Sequence, residues 1–180
     1  MTVLHEMDNI DIDISVANAI WDTQIPDYKP LIESCLEQII SHVPEAQNFR
    51  KFNHLELSVL LTDDQNIHIL NRDYRGKDKP TNVLSFPSLS EDEIERYLRG
   101  SDQLPQYPVS LGDVIFAYET IAGESVAQGK KFEDYFCHLS VHGILHLLGY
   151  DHMNDKEQRK MESIEKAILL KLSIDDPYRD

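Results

Sequence analysis

The chain has 180 residues, 41% of them hydrophobic and 27% charged, and a formal net charge of −15. That length suits one domain with its own hydrophobic core, and no apolar run reaches the ~20 residues that span a bilayer. So acidic a chain is excluded as a general coat for nucleic acid, because a negative field repels phosphate, although a local basic site remains compatible with it.

The N-terminal stretch Met1 to Ser15 has no basic region followed by an apolar one, so no secretory leader is expected. Ile10, Ile12 and Ile14 alternate with Asp11 and Asp13, the period of a half-buried strand. After Pro26 and Pro30, the residues Leu31, Ile32, Cys35, Leu36, Ile39 and Ile40 recur at helical spacing, and that helix should end near Pro44. Leu55, Leu57, Val59 and Leu61 predict a second strand. Thr62 and Gln65 form a capping-box pattern that opens a helix with Ile67, Leu70 and Tyr74 on one face.

Asn82 to Phe86 reads as a short strand closed by Pro87, and residues 88–108 as an acidic surface insertion with a helical turn at Glu91 to Leu98. A fourth strand at Val114 to Phe116 precedes helices at about 119–128 and 132–148. A last amphipathic helix carries Met161, Ile164, Ala167, Ile168 and Leu172. Strands and helices mix without strict βαβ alternation. The predicted class is therefore α+β, with residues 1–180 as one domain built on a small mixed β-sheet packed with helices. Cys35 and Cys137, far apart and in no CxxC pairing, read as two buried thiols of a reducing, cytoplasmic compartment.

The strongest chemical signal is the run H142-G-I-L-H146-L-L-G149-Y-D-H152. His142 and His146 are four residues apart, so a helix presents both from one face, about one turn apart. Gly149 sits where a helix end is commonly closed by a left-handed residue, which lets the chain reverse and return His152 to the same point. Three neutral imidazoles with one position left open is the donor set of a catalytic Zn2+, although imidazole also suits other divalent metals. The metal site is thus expected at the end of a helix and in its following turn. His138, a further turn back, is a rival ligand that reads better as a group behind the ligands or facing substrate. Asp151 either orients an imidazole through its second nitrogen or only shapes the turn.

The ligand spacing is that of the metzincin proteases, whose helix reads H-E-x-x-H-x-x-G-x-x-H. Here Gly143 replaces the glutamate that serves those proteases as general base. The second informative stretch, R72-D-Y-R75-G-K77-D-K79-P, concentrates four cations in an acidic chain. An arginine aimed at a metal-bound phosphate can clamp it bidentately and offset charge that develops in a transition state, so Arg72, Arg75, Lys77 and Lys79 read either as a phosphate-binding set or as an ordinary solvated loop.

Together the two stretches resemble the YbeY family, bacterial endoribonucleases of ribosomal RNA maturation. The resemblance runs from about Leu55 to Met153. It rests on the H-L-S-V-H-G-I-L-H-L-L-G-Y-D-H run from His138, the Y-R-G-K-D-K-P-T-N-V-L-S-F-P run from Tyr74, and L-G-D-V-I at Leu111 to Ile115. It implies an α+β fold with the metal in a cleft, ligands at His142, His146 and His152, and Arg75 near the metal acting on RNA phosphate. The implied activity is metal-dependent cleavage of single-stranded RNA, in 16S ribosomal RNA 3′-end maturation and ribosome quality control. The acidic surface suggests that the small ribosomal subunit, or a protein bound to it, presents the substrate, with no membrane involved. The insertion at 88–108 is longer than the family pattern. Two other readings keep the metal: a ribosome-assembly factor with a structural zinc, and a metzincin-like protease lacking its glutamate.

Overall fold

A computed structural model describes residues 7–100 and 102–179; the first six of the residues Met1 to Ser15, on which the expectation about a leader rests, lie outside them. Four strands form one mixed sheet in the order β1-β2-β4-β3. They are β1 (Ile10–Val16), β2 (Leu55–Thr62), β3 (Val83–Pro87) and β4 (Val109–Ala117). β1 and β4 flank β2 in parallel, and β3 pairs antiparallel with β4. The helices are α1 (Ile20–Gln24), α2 (Tyr28–His42), α3 (Asp64–Arg75), α4 (Glu91–Glu93), α5 (Tyr118–Ala127), α6 (Phe132–Leu147) and α7 (Asp155–Lys171). The class is α+β. None of the helices among the described residues is long and apolar enough to cross a membrane.

The two faces of β4 show why the sheet is covered on both sides. Side chains alternate along a strand. Val114 and Phe116 belong to the main core, while Ile115 and Ala117 join Ile67 of α3 and Leu84 of β3 in a smaller one. The main core is organised around α6, whose Phe136, Val141, Ile144, Leu145 and Leu147 are all buried. A helix so apolar around its circumference belongs inside the protein. α6 packs against β3, β4, α2, α5 and α7. Both thiols are free and buried, with Cys35 Sγ 3.7 Å from the Cys137 carbonyl where α2 meets α6.

Two local readings shift. The helix α3 is capped by Asp63, whose carboxylate accepts from Asn66 N at 2.9 Å. Thr62 is fully buried at the end of β2 and instead accepts from the Asn66 side chain. β4 begins five residues before the expected Val114, because a register shift opposite Glu56 and Leu57 breaks the alternation around Leu111 and Gly112. The 88–108 stretch does contain a capped helical turn, with Ser90 and Glu93 satisfying one another's backbone N–H groups. It continues as a π-helical turn over Ile94–Arg99 and sends Leu89, Ile94 and Leu98 into the core.

Gly143 marks the closest approach of α6 to the sheet. Its carbonyl accepts from Ser85 Oγ at 2.9 Å, and a Cβ there would lie 2.7 Å from Val114 Cγ1. Val114 is fully buried and β-branched, so it has no room to turn away. Gly143→Ala should therefore lower stability by about 1–3 kcal/mol through overpacking, despite a helix-propensity gain of about 1 kcal/mol. Equilibrium denaturation, read as a lower midpoint at unchanged slope, checks this.

Candidate metal centre

Three histidine nitrogens, one each from His142, His146 and His152, lie within 4.8 Å of one another, a group able to hold a metal ion. The helix places the first two: the rings of His142 and His146 have centroids 4.5 Å apart, and their Nε2 atoms face each other at 3.0 Å. The helix end places the third. Gly149, at φ 95°, donates to the His146 carbonyl at 3.1 Å, and Tyr150 N donates to the Leu145 carbonyl at 3.2 Å. This pair of bonds is the Schellman closure. It turns the chain so that His152 comes to 5.2 Å from His146 and 5.9 Å from His142, centroid to centroid.

The hydrogen bonds behind the rings decide what the front faces present. His146 Nδ1 lies 2.9 Å from the Tyr150 carbonyl, and His142 Nδ1 lies 2.6 Å from Glu165 Oε1. A carbonyl and a carboxylate only accept, so each ring carries its proton on Nδ1. In two neutral rings both Nε2 atoms then point lone pairs at each other across 3.0 Å. Burial first, and then the neighbouring His142, pushes His146 down to about 4, so its own Nε2 offers a lone pair near neutral pH. A cation shared between the two Nε2 atoms satisfies both. Tetrahedral zinc with ~2.0–2.1 Å bonds needs nitrogens ~3.3 Å apart, within a few tenths of an ångström of this spacing. The donor set therefore fits a divalent metal.

Glu165, on α7, was not foreseen. Its side chain is 0% exposed and receives His142 Nδ1 on one oxygen, and His138 Nε2 at 3.1 Å and the Tyr178 hydroxyl on the other. Burial raises its pKa, but the hydrogen bonds from His138 and His142 outweigh this and hold it near 2. The signal was present in the sequence: Met161, Glu165, Ile168 and Leu172 share one face of α7, and a carboxylate in an otherwise apolar stripe needs partners. His138 sits behind the three histidines. Its Nε2 is spent on Glu165 and Tyr178, and its Nδ1 is buried without a partner among the described residues. Asp151 accepts mainly from the His152 backbone N–H, at 2.7 Å, and only loosely approaches the His152 ring, at 3.4 Å. Tyr150 is tied to the body of the protein through Glu45, which accepts its hydroxyl at 2.6 Å and pairs with Arg99 of the 88–108 stretch at 3.2 Å.

The three histidines open onto a cleft of about 700 Å³, whose lining also includes Arg75, Lys77, Lys79, His138 and Asp151. Gly76, at φ 67°, ends α3 after Arg75, and the Asn71 side chain holds the Lys79 carbonyl at 2.8 Å, which fixes the basic loop on the wall. Arg72, one turn back, lies outside this lining with its Nε 2.9 Å from Asp73. The position of a metzincin general base is filled by the α6–sheet contact at Gly143, where even a methyl group meets Val114.

An α+β fold that sets three convergent imidazoles in a cation-lined cleft defines a protein of the metal-dependent hydrolase class. The family model described as Endoribonuclease YbeY matches residues 15–173. The Endoribonuclease YbeY of Paramagnetospirillum magneticum is 53% identical over 124 residues, 69% of this chain and 71% of that one. The Rhodospirillum rubrum relative of that name is 44% identical over 163 residues, 89% of this chain and 77% of that one. The Bradyrhizobium relative of that name is 40% identical over 172 residues, 93% and 92% of the two chains. The solution structure of TM1509 from Thermotoga maritima shares the fold, with a TM-score of 0.52 at 20% identity, over 94% of this chain and 99% of that one. The chain belongs to the endoribonuclease YbeY family.

The buried Glu165 carries a pH signature. Its folded-state pKa lies below the ordinary 4.5, so its contribution is fully present above about 4.5 and lost as pH falls toward 2. In the metal-free protein, Glu165→Gln should cost on the order of a few kcal/mol near neutrality. The gap to wild type should close as pH falls from about 4.5 to about 2, followed by denaturant unfolding at each pH.

Proposed function

We propose that this chain is a zinc-dependent endoribonuclease that cleaves single-stranded RNA, with His142, His146 and His152 as the metal ligands. The proposed substrate is the 3′ end of 16S ribosomal RNA, cut during maturation and quality control of the small ribosomal subunit in the cytoplasm. The observation that carries the reading is the pair of Nε2 lone pairs converging at 3.0 Å, opposite three cations lining the same cleft of a chain with net charge −15.

Zinc held by His142, His146 and His152 would supply Lewis-acid charge to a phosphate oxygen and would acidify water. The protein groups do the rest. Glu165 and the Tyr150 carbonyl keep the His142 and His146 protons on the far side of each ring, so that both lone pairs stay directed into the cleft. Arg75 offers a guanidinium to the phosphodiester under attack, where charge builds up. Lys77 and Lys79 hold flanking phosphates. With only these few cations set against an acidic surface, free RNA binds weakly, and added salt weakens it further. The ribosome, or a protein bound to it, then serves to present the RNA strand.

The purified chain should contain about one zinc per molecule and cleave single-stranded RNA. His142→Ala should lose both metal and cleavage. Arg75→Ala should keep the metal and lose at least about a hundredfold in rate. Elemental analysis beside an RNA-cleavage assay checks all three. Cleavage retained by both variants would assign the activity to a contaminant, and bound metal without cleavage would assign the site to a structural role.

A further inference from the structure

The tail that follows α7 doubles back onto the site. Ser173 takes a left-handed conformation at φ 61°, and Ile174 N donates to the Leu169 carbonyl at 2.9 Å, which closes α7 and reverses the chain. The tail is then pinned at several points. The Pro177 carbonyl accepts from Lys130 Nζ at 3.2 Å, Asp176 lies 3.5 Å from Lys166, and the Tyr178 backbone N–H donates to Asp176 at 2.8 Å. These contacts bring the Tyr178 ring edge-on to His138, at 5.4 Å, with its hydroxyl on Glu165 Oε2.

The two oxygens of Glu165 have different tasks. Oε1 holds the Nδ1 proton of His142. Among the described residues, Oε2 receives His138 and Tyr178 and touches none of the three clustered histidines. A fully buried carboxylate keeps its charge and orientation only while its lone pairs are answered. We infer that Tyr178 is a positioning residue of the metal site: its hydroxyl holds Oε2, so that Oε1 stays on His142 and the His142 Nε2 lone pair stays aimed into the ligand triangle. This rests on the metal reading above, and adds that the tail is part of the site and not a trailing end.

The test is zinc affinity, measured by chelator competition, for the full chain and for Tyr178→Phe, Glu165→Gln and the double variant. Phenylalanine keeps the ring against His138 and removes only the hydroxyl. Loss of a partner behind a ligand weakens metal binding by about 10–100-fold, so Glu165→Gln should fall in that range and Tyr178→Phe near its lower end. Because Tyr178 acts through Glu165, the double variant should bind no more weakly than Glu165→Gln alone. Wild-type affinity in Tyr178→Phe, or additive losses in the double variant, overturns the inference while leaving the metal site standing. A full chain that binds no zinc overturns the metal reading itself, and this inference with it.

Discussion

The site depends on two hydrogen bonds that no substrate would ever touch. Glu165 Oε1 and the Tyr150 carbonyl take the Nδ1 protons of His142 and His146, and by doing so force both Nε2 lone pairs into a 3.0 Å contact. Without those acceptors each ring is free to turn or to change tautomer, and the pair can relieve itself through an ordinary N–H···N bond. With them, two neutral rings meet lone pair to lone pair, a contact that a shared cation satisfies. Preorganisation of this kind keeps the reorganisation needed for metal binding small, because the folding of α6 and α7 has already set the ring directions.

The architecture reads as a means of holding those acceptors. α6 is buried nearly all round, so its histidines cannot shift without disturbing the main core. The Schellman closure at Gly149 does two things with one turn: it satisfies the last carbonyls of α6 and it swings the Tyr150 carbonyl onto His146. α7 delivers Glu165 from the opposite side, and Gly143 lets α6 lie close enough to β3 and β4 to bring the basic loop across the cleft. The 88–108 stretch, outwardly an acidic elaboration, joins this scheme through Arg99 and Glu45, which hold the Tyr150 side chain.

What was legible in the sequence was what is local in the chain. The i, i+4 histidines, the glycine that ends their helix and the third histidine lie within eleven residues, and gathering three imidazoles at one helix end leaves little freedom in their spacing. The strands were legible through alternation, except where the shift near Gly112 concealed half of β4. The helix cap fell to Asp63 and not Thr62 because the last side chain of β2 is fully buried, which no local pattern reveals. Glu165 lies 23 residues from His142 and Tyr178 lies 40 from His138, so their roles exist only once α7 and the tail have docked. The acidic position in the α7 stripe hinted that such a partner was needed, though not which residue it would meet.

The central claim is that the fold aims three imidazole nitrogens at one ion. X-ray absorption at the zinc edge of the purified full chain tests it most directly. The account predicts a first coordination sphere with three imidazole nitrogens at about 2.0–2.1 Å and the remaining contribution from oxygen. Sulfur at about 2.3 Å, or fewer than three imidazoles around the bound ion, would contradict it.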